Sequence, residues 1–336
     1  MTQQTSRPRI ALTFGDPAGV GPELVARQLA QASTTEAADI LLIGDEQELT
    51  DAMADAGVEF SWTREAGTGV PQLIDNGGER PEGGFVRQQA TREGGQWAMA
   101  SLRTALELSK AGEVDAIVFA PLNKSSLHLA GMQENDEMSW FETVLDDGTA
   151  ATELNVLPEL VTARVTSHCS LAEVAGLIDF DLVVERGELL ERVLRARGIE
   201  APRIGVCALN PHAGESGKFG REEIDIIAPA IEELRSRGVD ASGPFPSDTI
   251  FLKARDGAFD GVLTMYHDQG QIAVKLLGFD RGVTMAGGLS VAVTTPAHGT
   301  AFDVVGQRVA STGAYEHAFS TAVGVGAQRR AARELA

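Results

Sequence analysis

Three apolar runs in this chain each end on a histidine. Gly261-Val262-Leu263-Thr264-Met265 runs into Tyr266-His267-Asp268-Gln269-Gly270. Val161-Thr162-Ala163-Arg164-Val165-Thr166 runs into Ser167-His168, and Ile204-Gly205-Val206-Cys207-Ala208-Leu209 into Asn210-Pro211-His212. Short apolar runs closed by turn residues read as buried strands. In an open parallel sheet the C-terminal strand ends share one edge, and ligands bind in the crevice outside it. Three of six histidines thus fall where a ligand site forms. Neutral imidazoles converging there would make a half-open site for a divalent metal. One such histidine reads as a turn residue; the repetition favours a site.

The rest of the chain alternates strands with helices. Arg9–Phe14 is a strand, followed by the glycine-rich turn Gly15-Asp16-Pro17-Ala18-Gly19-Val20-Gly21-Pro22-Glu23 and a helix over Leu24–Ala32. Pro22 suits the first helical position and Glu23 the positive helix end. The turn can cradle an anion with backbone N–H groups, though it is neither G-x-G-x-x-G nor a P-loop. It puts the Asp16 carboxylate on the strand-end edge. Asp39–Gly44 is a strand and Asp45–Ala56 a helix; Ser61–Gly84 is a polar excursion; Thr91–Ala111 is a helix. The strand Asp115–Ala120 exits through Pro121-Leu122-Asn123-Lys124, where Lys124 is placed to orient a substrate or move a proton.

Residues 132–147 are irregular and charged, and mark the expected crossing between domains. Beyond them lie an amphipathic helix over Glu222–Arg237, a rigid turn over Gly243–Thr249 holding Asp248, strand-like Val283–Thr295, the loop Pro296–Asp303 and a closing helix within Ala314–Leu335. This pattern gives an α/β class with helices on both faces of a mostly parallel sheet.

With 336 residues the chain can build two domains. No apolar run approaches the ~20 residues that span a bilayer, and residues 1–8 read as a disordered leader without a signal-peptide core. Two cysteines, Cys169 and Cys207, make no disulfide framework. These features lead us to expect a cytoplasmic protein. A net charge of −20 argues against nucleic acid and anionic membranes as partners. An anionic substrate would need local cations, supplied by Lys124, Lys218 and Lys275.

The glycine-rich turn, Ala120-Pro121-Leu122-Asn123-Lys124, Asn210-Pro211-His212-Ala213-Gly214-Glu215, Ser247-Asp248-Thr249, His267-Asp268-Gln269-Gly270 and His298-Gly299-Thr300-Ala301-Phe302-Asp303 together resemble the 4-hydroxythreonine-4-phosphate dehydrogenase (PdxA) family. The resemblance runs in order over nearly the whole chain. It implies an isocitrate/isopropylmalate dehydrogenase-like fold of two α/β domains with a cleft between them. We place the cofactor-side domain at 1–131 plus 297–336, and the metal, substrate and dimerisation domain at 132–296. It further implies an NAD- or NADP-dependent homodimer with active sites shared between subunits. Cofactor contacts fall on His298, Gly299, Thr300, Ala301 and Asp303. One divalent metal falls on His168, His212 and His267; Zn, Co, Mg, Mn and Ni are not distinguished. The implied reaction oxidises a secondary alcohol beta to a carboxylate, and the β-keto acid then loses carbon dioxide. Lys124, Asp248 and Asp268 are candidates for proton handling or for orienting the imidazoles.

Substrate contacts are expected at Asp16, Met138, Ser139, Lys275, Thr284 and Val293. Three of these depart from the family pattern. Met138 stands where the pattern has a histidine, and Thr284 and Val293 where it has Asn and Arg. Replacing an arginine by valine removes a bidentate phosphate contact. These departures, with Trp140, lean toward a less phosphorylated, more apolar hydroxy acid. Cis-dihydrodiol carboxylates and 4-phosphorylated threonate or erythronate are alternatives. A phosphate acyltransferase-like enzyme and an inactive binding homologue are the rivals from other classes.

Overall fold

The computed structural model describes residues 7–149, 151–278 and 281–335. The chain forms two compact units, residues 1–151 with 288–336, and residues 152–287.

The first unit holds β1 (Arg9–Thr13), β2 (Asp39–Ile43), β3 (Gln72–Ile74), β4 (Ala116–Phe119) and β11 (Ala292–Pro296), in the order β3-β2-β1-β4-β11. All four pairings are parallel. β1, β2 and β4 are apolar almost throughout and nearly fully buried, as strands covered on both faces must be. Their partners include α2 (Ala32–Ala37), α4 (Arg92–Lys110) and α12 (Gly313–Leu335), and α1 (Gly21–Leu29) packs on α3 (Glu46–Ala56). α5 (Lys124–Ala130) and α6 (Glu137–Leu145) pack on α4. α6 thus lies with the first unit, and the boundary falls at 151/152 rather than at the expected 132. Residues 1–6 of the expected leader lie outside the described residues. Pro8, however, already accepts a backbone hydrogen bond from Asp39, and Arg7 pairs with the Asp39 carboxylate at 2.7 Å.

The second unit holds β5 (Thr152–Val156), β6 (Val161–Arg164), β7 (Arg203–Cys207), β8 (Asp240–Phe245), β9 (Gly261–Thr264) and β10 (Val283–Gly287), in the order β10-β5-β6-β9-β7-β8. β6, β9, β7 and β8 are parallel; β10-β5 and β5-β6 are antiparallel. Its helices are α7 (Leu171–Leu177), α8 (Phe180–Ala196), α9 (Ala228–Ser236), α10 (Ser247–Arg255) and α11 (His267–Gly278). α8 lies close on β9: a Cβ added at Gly261 would come 2.7 Å from Leu194 Cδ1. The turn expected over Gly243–Thr249 ends inside α10, so Asp248 sits in that helix's first turn.

Candidate active site

β9 lies between β6 and β7, so the three strands that end on histidines are parallel neighbours. Their exits open on one edge. Those of β6 and β9 stay joined beyond the strands: Val165 N–H donates to Thr264 O at 2.8 Å, and Thr166 donates to Met265 O through its N–H at 3.1 Å and its hydroxyl at 2.8 Å. The result sets the His168 and His267 rings 5.8 Å apart, centroid to centroid, at 42°. His168 turns out of its strand at φ 28°, and His267 opens α11. Asp268 Oδ1 lies 2.6 Å from His267 Nδ1. A carboxylate there holds the proton on Nδ1 and leaves the Nε2 lone pair for a ligand. Ser167, Cys169, Leu171, Val174 and Tyr266 complete a hollow of about 230 Å³ around the pair.

Two imidazoles bound to one ion at about 2.1 Å place their centroids roughly 5–6 Å apart. The His168–His267 separation therefore matches that of two imidazoles sharing one divalent cation. His212 does not complete the set. The chain leaves β7 into residues His212–Ser216, which all have left-handed φ, from 41° to 74°. Among the described residues, no three His, Cys, Asp or Glu side chains gather closely enough to hold an ion. The expected convergence of three imidazoles is thus met in strand order but not in side-chain position within one chain. Buried Glu223 anchors the His212 segment, accepting from Leu209 N–H at 2.9 Å and from Asn210 N–H at 2.7 Å.

Gln269 ties this edge together. Its Oε1 accepts from Met265 N–H at 2.7 Å, and its Nε2 donates to Ala208 O at 2.8 Å. One buried amide thereby joins the exits of β9 and β7. The signal available in sequence was a glutamine directly after the His-Asp pair. Lys275 is exposed on α11, two turns past His267; Thr284 is half-buried on β10 opposite Asn155; Asp248 is exposed.

In the first unit the motifs also assemble. The glycine-rich turn leaves β1 at Gly15, φ 75°, where a Cβ would fall 2.5 Å from Ala120 O. Asp16 N–H donates to Pro121 O at 3.0 Å, and Val20 N–H donates to Thr300 O at 3.0 Å. Glycine-rich turn, β4 exit and His298 loop are therefore one structure. Asp16 is 1% exposed; Oδ1 accepts from Ala18 N–H at 2.9 Å, and Oδ2 has no partner. Burial pushes its carboxyl above the usual range. His298 Nδ1 lies 3.0 Å from Gly299 O, while its Nε2 is buried without a partner. An orphaned buried nitrogen beside a loop of exposed Gly299 and left-handed Ala301 fits a bound group with hydrogen-bonding edges. Asp303 is exposed in the following single turn.

Lys124 Nζ stands 3.9 Å from Glu137 Oε2, which puts the altered segment beside this strand exit. Met138 and Ser139 are half-buried in the first turn of α6. Trp140 is 4% exposed, packed on Phe141 and under the Arg103 guanidinium. Val293 is 1% exposed on β11, in register with Ile117. Trp140 and Val293 are core residues, so they do not supply the apolar substrate wall expected from their sequence.

The model of the family described as "Pyridoxal phosphate biosynthetic protein PdxA" matches residues 36–322. A Pseudomonas aeruginosa relative named "Putative 4-hydroxythreonine-4-phosphate dehydrogenase 2" is 50% identical over 96% of this chain and 98% of its own. A D-threonate 4-phosphate dehydrogenase from Cupriavidus necator is 39% identical over 90% and 92%. The crystal structure of a 4-hydroxythreonine-4-phosphate dehydrogenase from Burkholderia phymatum superposes with a TM-score of 0.79 at 37% identity, covering 95% of this chain and 98% of that one.

Proposed function

The chain belongs to the PdxA family of dehydrogenases, and from that premise we propose a metal- and NAD(P)-dependent oxidation of a secondary alcohol in a phosphorylated hydroxy acid, followed by decarboxylation. The observation that carries this reading is the His168–His267 pair, set at metal-sharing distance where parallel strands end. The relatives' names, 4-hydroxythreonine-4-phosphate and D-threonate 4-phosphate dehydrogenase, favour a phosphorylated substrate. Met138 and Thr284 favour one other than 4-hydroxythreonine 4-phosphate itself. D-threonate 4-phosphate fits the same chemistry.

A nicotinamide, when bound, accepts hydride. A divalent cation, when bound, lowers the pKa of the reacting hydroxyl and polarises the ketone that follows. The chain's own residues hold and orient. His168 and His267 present two imidazoles, and Asp268 fixes the tautomer of the second. Buried His298 Nε2 and the backbone of Gly299–Ala301 offer contacts to the cofactor. Lys275 supplies a cation for the substrate's anionic end, and Lys124, Asp248 or Asp268 moves the proton.

The missing third ligand favours a homodimer with shared sites. Leu171, Ile272 and Leu276 are 73%, 61% and 83% exposed, and they lie on the two helices that begin next to His168 and at His267. A second copy covering them would bury apolar surface and bring further side chains to the pair. The test is nicotinamide reduction with Zn²⁺- or Co²⁺-loaded protein. Its substrates are 4-hydroxythreonine 4-phosphate, D-threonate 4-phosphate and a cis-dihydrodiol carboxylate, each with NAD and NADP. Fastest turnover of D-threonate 4-phosphate is expected. No reduction with any pair overturns the reading.

A further inference from the structure

We propose that Glu153 is a positioning residue for the histidine end of α11, an inference that rests on the metal reading above. Side chains alternate along a strand, so Glu153 and Asn155 of β5 share a sheet face with Thr162 and Arg164 of β6 through the register Asn155↔Thr162. Three donors converge on one oxygen. Two of them donate hydrogen bonds, Asn155 Nδ2 and Gln271 Nε2, each at 3.2 Å, and the third, Arg164 Nη2, makes an ion pair with Glu153 Oε1. Arg164 is 4% exposed, and its Nε and Nη2 have no hydrogen-bond partner, so its hold on Glu153 is ionic. Arg164, Thr264, His267, Gly270 and Gln271 line one narrow crevice.

Gln271 lies four residues past His267 and four before Lys275. Side chains at that spacing stack on one helix face. The carboxylate therefore grips α11 between the imidazole and the ammonium it presents. A buried ion pair seldom stabilises a fold more than apolar residues of equal volume do. Its presence under this helix is accounted for by what it holds. Arg164 fixes the Glu153 carboxylate in place, Glu153 holds the Gln271 amide, and the first turn of α11 holds the His267 ring at its distance from His168.

The test titrates full-length protein with Co²⁺ and follows the ligand-field spectrum alongside thermal melting. Gln271→Ala is expected to melt within a few degrees of wild type and to lose about tenfold in Co²⁺ affinity, the scale of an outer-sphere partner of a metal ligand. Gln271→Glu, which sets a like charge against Glu153, loses more. In a Glu153→Met/Arg164→Leu background the two Gln271 variants become equal. Wild-type affinity and spectrum in Gln271→Ala would overturn the proposal while leaving the metal reading standing. Failure of the wild type to take up Co²⁺ would remove the metal reading, and this inference with it.

Discussion

Trp97 Nε1 donates to Glu48 Oε2 at 2.9 Å inside the first unit, and that indole is the hydrogen-bond donor that reaches an otherwise desolvated carboxyl. Burial pushes Glu48 up to about 8. The unfolded chain releases this proton near pH 4.5, so between there and pH 8 the native state binds more protons. Stability must therefore fall as pH rises through that window and level off above it, by on the order of a few kcal/mol. Glu48→Gln, which can keep the Trp97 bond, is expected to stabilise the protein by about 1–3 kcal/mol at pH 8 and by little at pH 4.5. Urea denaturation at the two pH values checks this; equal effects at both would contradict it.

Asp268 orients His267, but its side chain is 73% exposed, so its hold is solvent-screened. Asp268→Asn is expected to weaken Co²⁺ binding by about tenfold, the low end for such partners. His267→Ala is expected to abolish it. Calorimetric titration distinguishes the two, and an unaffected His267→Ala protein would remove this imidazole from the ligand set.

Gly19 lies against the His298 loop: a Cβ there would fall 2.8 Å from Thr300 Cβ and 2.9 Å from Thr300 O. Gly19→Ala should displace that loop, cost about 1–3 kcal/mol as an overpacked contact, and raise the KM for the nicotinamide. Gly299→Ala meets nothing within 4 Å and serves as the stability control. Equal melting of both variants would argue against the turn-to-loop contact.

Restoring the family's arginine at Val293 should not restore a phosphate contact. The position is 1% exposed, and an unpaired guanidinium there costs several kcal/mol. Val293→Arg is expected to express poorly or melt far below wild type. Thr284→Asn, at a half-buried position, is expected to fold and to lower the KM for 4-hydroxythreonine 4-phosphate. A stable Val293→Arg protein with improved KM would reverse this assignment.

The histidine-bearing strands were legible because burial on both faces leaves an apolar run that only a turn residue can close. The glycine-rich turn and the His298 loop were legible as motifs, but their mutual contact was not, because residues 20 and 300 carry no local trace of each other. β5 was missed for a different reason. Glu153 and Asn155 alternate with apolar neighbours, and such alternation reads as a solvent-facing strand or an irregular stretch, whereas here the polar face is turned inward onto Arg164 and α11. Pro244 and Pro246 give the stretch before Asp248 the pattern of a turn, and the helix begins directly after the second proline, which stands at its N-cap.

His212 sits at the end of a tether. Glu223 pins residues 209 and 210, and from 212 to 216 the chain runs through backbone conformations that L-residues avoid, at about 1–2 kcal/mol each outside glycine. The anchor at 209 and 210 bounds how far from β7 the His212 ring can stand. Reach, more than basicity, then sets which neighbours this imidazole can meet.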